Sequence, residues 1–183
     1  MRHPLEEEFN ASSWDILSAI QRGFRAQVDV KGKLAEYFLN QQLERLRTDG
    51  VLEDLIWQDK DGEPDFIVRY RSKRLRIECK NVRSKEEFRQ LDAYKVEIQK
   101  TRNAIGGGPT RGYRGDEFDV LAACLFNHTH EWKYLHAPVK RLRRRESETD
   151  FLQIMQPVPK VVSLPWYESI VDAMNEALRM MKK

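Results

Sequence analysis

Cysteine is scarce in this chain, with only two among 183 residues. Two thiols cannot by themselves hold a four-cysteine iron–sulfur cluster or a structural zinc site, and a reducing compartment disfavours joining them. Cys79 and Cys124 both fall within apolar, strand-like runs, which reads as two buried free thiols. Long apolar runs are missing as well: no segment approaches the ~20 residues needed to cross a bilayer. The opening M-R-H-P-L-E-E-E-F has no apolar centre of the secretory kind, so the expected location is cytoplasmic. Repeats, low-complexity tracts and linkers are not evident. The net charge of +3 is too mild to name a nucleic-acid partner on its own.

What is present is charge, at 33% of residues, arranged in blocks. Basic residues gather at Arg69, Arg71, Lys73, Arg74 and Arg76, and again at Lys140, Arg141 and Arg143 to Arg145, while Glu6 to Glu8 and Glu86 to Glu87 are acidic. A phosphate-binding face has this form, as does a solvated surface. Ser12 and Ser13 cap a first helix to about Arg25, and a second is expected from Lys33 to about Thr48, stopped by Gly50. Val51–Trp57 reads as a strand. Phe66–Tyr70 and Leu75–Cys79 form a hairpin around Arg71 to Arg74. Ser84 with Glu87 resembles a capping box and opens a third helix to about Arg102, ended by Gly106 to Pro109. Asp119–Phe126 reads as a strand buried on both faces, Trp132–His136 and Leu152–Met155 as further strands, and Pro165–Met181 as a closing helix. The fold class is therefore α/β or α+β in a single domain over 1–183, with a helical segment at 1–30, a core at about 31–136 and an extension at about 137–183.

The most informative stretch is G-E-P-D-F-I-V-R-Y-R-S-K-R-L-R-I-E-C-K-N. Paired as a hairpin, it brings Asp65 at the entrance of one strand towards Glu78 near the end of the next, with Lys80 beside them. Strand side chains alternate, so Glu78 and Lys80 share a face while Ile77 and Cys79 take the other. Two carboxylates and an amine suit a hard cation and metal-assisted hydrolysis of a phosphodiester. The same letters also describe a solvent-facing hairpin whose Pro-Asp is a turn dipeptide.

Pro64-Asp65 and Glu78-Cys79-Lys80 resemble the PD-(D/E)xK signature of the restriction-endonuclease-like nuclease superfamily, and the order from about Lys33 to Phe126 is similar to that family's αβββαβ core, a central mixed sheet flanked by helices. The resemblance implies that Asp65, Glu78 and the backbone carbonyl of Cys79 bind Mg2+, with Mn2+ able to substitute. It also implies that Lys80 holds or deprotonates the attacking water, or neutralises the transition state, and that Glu36 in the preceding helix supports the site. Gln90 and Tyr94 match the Q-x-x-x-Y pattern of some exonuclease-like branches and, four apart on a helix, would share a face; Lys95, Gln99, Lys100 and Arg102 then continue a polar stripe suited to phosphate contacts. Arg111 and Arg114 in the glycine-rich loop are further candidates for DNA contact. That loop lacks the Lys-Ser ending of a P-loop, so no nucleotide cofactor is expected. His128, His130 and His136 satisfy no metal-ligand spacing. The reading is thus a Mg2+-dependent DNA endonuclease of the restriction or defence kind, acting as a homodimer through the final helix and the apolar part of the first. Its alternatives are a recombination or repair nuclease (resolvase or exonuclease) and a non-catalytic DNA-binding subunit.

Overall fold

The structure is a computed structural model whose described residues are 2–60, 62–99 and 112–181. It divides into two units, Met1–Leu34 and Ala35–Lys183. In the first, Pro4 begins α1 (Pro4–Glu8), where its missing N–H leaves no helical bond unmade, and His3 Nδ1 accepts the Leu5 backbone N–H. Ser12 caps α2 (Ser13–Arg22) reciprocally: its hydroxyl oxygen accepts the Asp15 N–H, and the Asp15 carboxylate accepts the Ser12 N–H. Helix α2 stops at Gly23, and α3 (Phe24–Thr48) begins well before the expected Lys33, so the boundary between the units falls inside α3. Gly50, at φ +73°, ends α3 as a left-handed residue, letting the Val51 N–H return to the Leu46 carbonyl at 2.9 Å.

The second unit holds a seven-stranded mixed sheet with path β1-β2-β3-β4-β7, in which β5 branches from β3 and carries β6. β1 (Asp54–Trp57), β2 (Phe66–Tyr70) and β3 (Lys73–Phe88) form an antiparallel meander. The β2–β3 turn needs only Arg71 and Ser72, both left-handed at φ 51° and 57°, as a two-residue hairpin loop demands. Neither is glycine. Glu53 Oε1 accepts the Ser72 N–H at 2.6 Å, and the Arg71 guanidinium lies over the Tyr70 ring, which helps hold this unfavourable geometry. The first half of β3 pairs β2 on one side and, in parallel, β5 (Val120–Cys124) on the other; its second half pairs β4 (Ala93–Glu97). β5 continues through the short α4 (Phe126–Thr129) to β6 (Tyr134–Pro138), antiparallel to it.

Alternation along these strands produces two cores, one per face. Leu75, Ile77 and Cys79 of β3 join Phe66, Val68, Val120 and Ala122 beneath Ala35, Leu39 and Leu43 of α3 and beneath α5 (Ile170–Met181). The opposite face gathers Val82, Val96, Phe118, Leu121, Ala123 and Trp166, and it is this face that Glu78 shares. A mixed sheet with helices against it, in an α+β arrangement, is therefore the observed class.

The helix expected over Ser84–Arg102 is not formed over its described residues, 84–99. Ser84–Phe88 continues β3, a single turn of 3-10 helix follows at Arg89–Leu91, and Ala93–Glu97 is β4, with Glu87 opposite Tyr94 and Phe88 opposite Ala93. The capping-box letters were a local signal that tertiary pairing overrode; Tyr94-Lys95-Val96-Glu97-Ile98 alternates with period two, and Val96 and Ile98 are buried. The closing helix starts at Ile170 rather than Pro165. The last strand, expected at Leu152–Met155, is β7 at Met155–Pro159. It tolerates Pro157 and Pro159 because it is an edge. Ile154 accepts from Ile98 and Lys160 donates to Asp92, so even-numbered residues bond β4 while both prolines turn outward, where no donor is needed.

Candidate active site

The β2–β3 register pairs Phe66 with Ile77 and Ile67 with Arg76; continued by one step it sets Asp65 opposite Glu78. Opposed residues of an antiparallel pair project from the same face, so the two carboxylates meet. Cys79 fastens the arrangement from the backbone, its N–H donating to Asp65 Oδ2 at 2.7 Å. Its thiol lies on the other face, in the core beneath α3, where burial pushes its pKa well up, so only its backbone is left to serve the site. Lys80 Nζ stands 2.5 Å from Glu78 Oε1 and 4.0 Å from Asp65 Oδ2. The Tyr113 hydroxyl donates to the same Glu78 Oε1 at 2.6 Å. The other oxygen of Glu78, Oε2, is buried and has no hydrogen-bond partner, in a residue only 1% exposed.

The electrostatics follow from that crowding. Burial, with the charges of Glu78 and Glu36 added, raises the Asp65 carboxyl from 3.8 to about 7, against the opposing pull of Lys80 and the Cys79 N–H. Burial pulls on the Lys80 ammonium in the discharging direction, yet Glu78 and Asp65 outweigh it and leave its pKa above the ordinary lysine value. Glu36 lies on α3 and accepts from Trp57 Nε1 at 3.3 Å; Trp57 in turn stacks on Phe66, the residue after Asp65. The charge of Glu36 also acts on Asp65, adding to the rise of its carboxyl.

Among the described residues no group of three or more His, Cys, Asp or Glu converges as a metal-ligand cluster. Two carboxylates with a buried, unpartnered oxygen still fit Mg2+, which takes one or two carboxylates and retains waters.

The remaining candidates are scattered differently from the sequence expectation. Gln90 sits in the 3-10 turn and Tyr94 on β4, so they do not share a helix face; Tyr94 stacks on His128 at 4.2 Å between ring centres. Lys95 lines a separate polar cleft with Ser84, Arg89 and His128 and pairs with Glu86 at 3.5 Å. Gln99 bridges Gly112, next to Tyr113. Arg114 is half exposed, over the Phe151 ring and 3.3 Å from Asp150. Lys100 and Arg111 lie outside the described residues. Of the basic run on the hairpin, Arg76 is committed to Asp119, Nε to Oδ2 at 3.1 Å and Nη2 to Oδ1 at 3.2 Å. Tyr113 is the partner that spacing could not reveal, since it is 35 residues from Glu78 and arrives only through the fold.

No protein-family model matches this chain, and no curated protein matches it. A solved structure of a bacterial homing endonuclease superposes with a TM-score of 0.44 at 16% identity, over 84% of this chain and 92% of that one. At that distance the reading is left to the side chains themselves. Among the described residues no helix is long and apolar enough to cross a membrane.

Proposed function

We propose that this chain is a Mg2+-dependent endonuclease of the PD-(D/E)xK superfamily that hydrolyses DNA phosphodiester bonds, in restriction or defence. The observation that carries the reading is the buried, unpartnered Oε2 of Glu78 beside Asp65 and Lys80: an oxygen held this way costs stability unless something is bound there. Asp65, Glu78 and the Cys79 carbonyl would hold the ion, and Mn2+ would substitute for Mg2+. When bound, the ion supplies positive charge at the scissile phosphate and lowers the pKa of a coordinated water. Lys80, kept charged by its two carboxylate neighbours, donates a hydrogen bond to the attacking water and offsets charge on the pentavalent phosphate; a lysine so stabilised is a poor proton acceptor. Asp65 sheds its proton more easily once a cation faces it. Glu36 adds negative potential behind Asp65. Lys95, Gln99, Lys100, Arg111 and Arg114 would meet the sugar–phosphate backbone, and a cytoplasmic homodimer would present one site to each strand.

The test is a supercoiled plasmid incubated with the protein, with and without Mg2+. Discrete fragments that require the metal support the endonuclease. Progressive shortening of the same plasmid once linearised, with the closed circle left intact, means an exonuclease, and binding without cleavage of either form means a subunit that only holds DNA.

A further inference from the structure

Glu78 has two oxygens with opposite circumstances, and one residue on another part of the chain makes them so. Oε1 accepts from both Lys80 Nζ and the Tyr113 hydroxyl, whereas Oε2 has no partner. Tyr113 is itself held: its ring meets Phe118 edge-on at 5.3 Å between centres, and its backbone carbonyl accepts the Leu152 N–H at 2.9 Å. Burial, then the charge of Glu78, pushes the phenol above its ordinary range, so it is the hydroxyl that donates and the carboxylate that accepts.

We propose that Tyr113 is a positioning residue that sets how Glu78 grips a divalent cation: by occupying Oε1 together with Lys80, it leaves Oε2 alone to bind, through one oxygen. This inference rests on the proposed cation site. A carboxylate held to one oxygen suits Mg2+, with its near-octahedral, water-rich shell; one free to use both suits Ca2+, which takes six to eight ligands and accepts bidentate carboxylates. Tyr113 therefore discriminates between the two ions.

The experiment is calorimetric titration of Mg2+ and of Ca2+ into the metal-free protein and into Tyr113→Phe, with thermal unfolding of both in parallel. Removing the hydroxyl frees one lone pair of Oε1, so the ratio of Ca2+ affinity to Mg2+ affinity should rise by about tenfold, the scale on which outer partners of ligands act. A merely structural role would weaken both ions together and lower the melting temperature, and that result overturns the inference. So does an unchanged ratio in a variant that still binds Mg2+, while leaving the cation site intact. If the unmodified protein binds neither ion, the site reading itself fails and Tyr113 loses its role with it.

Discussion

Asp119 and Glu78 lie close together along the seam between β3 and β5, both buried, and the fold treats them in opposite ways. Every oxygen of Asp119 is answered: Oδ2 by the backbone N–H of Arg76 at 2.8 Å and by its Nε, Oδ1 by its Nη2. Arg76, the donor of all three bonds, is two residues before Glu78 on the same strand. Glu78, by contrast, keeps one oxygen buried and unanswered. A forked guanidinium on a carboxylate is a closed unit that needs nothing further. A buried carboxylate left half-bonded is open, and its cost calls for a cause, of which a bound ion is one. The contrast separates a pair that locks two strands from a cluster with a carboxylate oxygen left over, the one the proposed cation would use, although both read as acid beside base in the sequence.

Substitutions can break this contrast or sharpen it. The largest effect is expected from Asp65→Ala, Glu78→Gln and Lys80→Ala, each lowering Mg2+-dependent plasmid cleavage by more than about 100-fold while DNA binding, followed by gel shift, is largely kept. Cleavage at the parental rate in any of them removes that residue from the chemistry. Asp119→Ala should do the reverse. It strands Arg76 and costs about 2 kcal/mol in urea unfolding, less than a fully buried pair because the arginine keeps part of its side chain in water, and it spares cleavage per folded molecule. Lost cleavage in a stable Asp119→Ala protein would erase the distinction between the two acids.

A subtler expectation concerns pH. Asp65 binds its proton more tightly folded than unfolded, so in metal-free buffer it contributes stability that is full below about pH 4 and is lost as pH rises through about 7. Asp65→Asn, whose amide oxygen can still accept the Cys79 N–H, should therefore melt higher than the parent at pH 8 and alike at pH 4. A gain that is the same at both pH values would contradict the burial argument. The smallest effect belongs to Glu36→Gln, which removes one of the charges that raise Asp65. Cation binding, titrated across pH, should then begin at slightly lower pH than in the parent.

How far such a site can be read in advance depends on the range of the interactions that make it. That Asp65, Glu78 and Lys80 converge was legible because hairpin pairing and strand alternation are local rules, and the β2–β3 register obeys them. The extent of α3 was legible only at its end, where Gly50 supplies a left-handed stop; its start was not, because α2 and α3 are separated by Gly23 alone. Ser84 to Glu87 misled because a helix cap and a strand continuation can share the same four letters, and pairing with β4 decides between them. Tyr113 and the Arg76–Asp119 fork stayed hidden for another reason. They join segments 35 and 43 residues apart, and nothing in spacing announces which distant tyrosine or aspartate the sheet will bring alongside.

The outward prolines of β7 have a consequence for assembly. At that rim a neighbouring chain would find carbonyls but, at Pro157 and Pro159, no hydrogens to bond, so two molecules cannot anneal ribbon to ribbon there. Strand pairing between copies would have to use another rim of the sheet, such as that of β1.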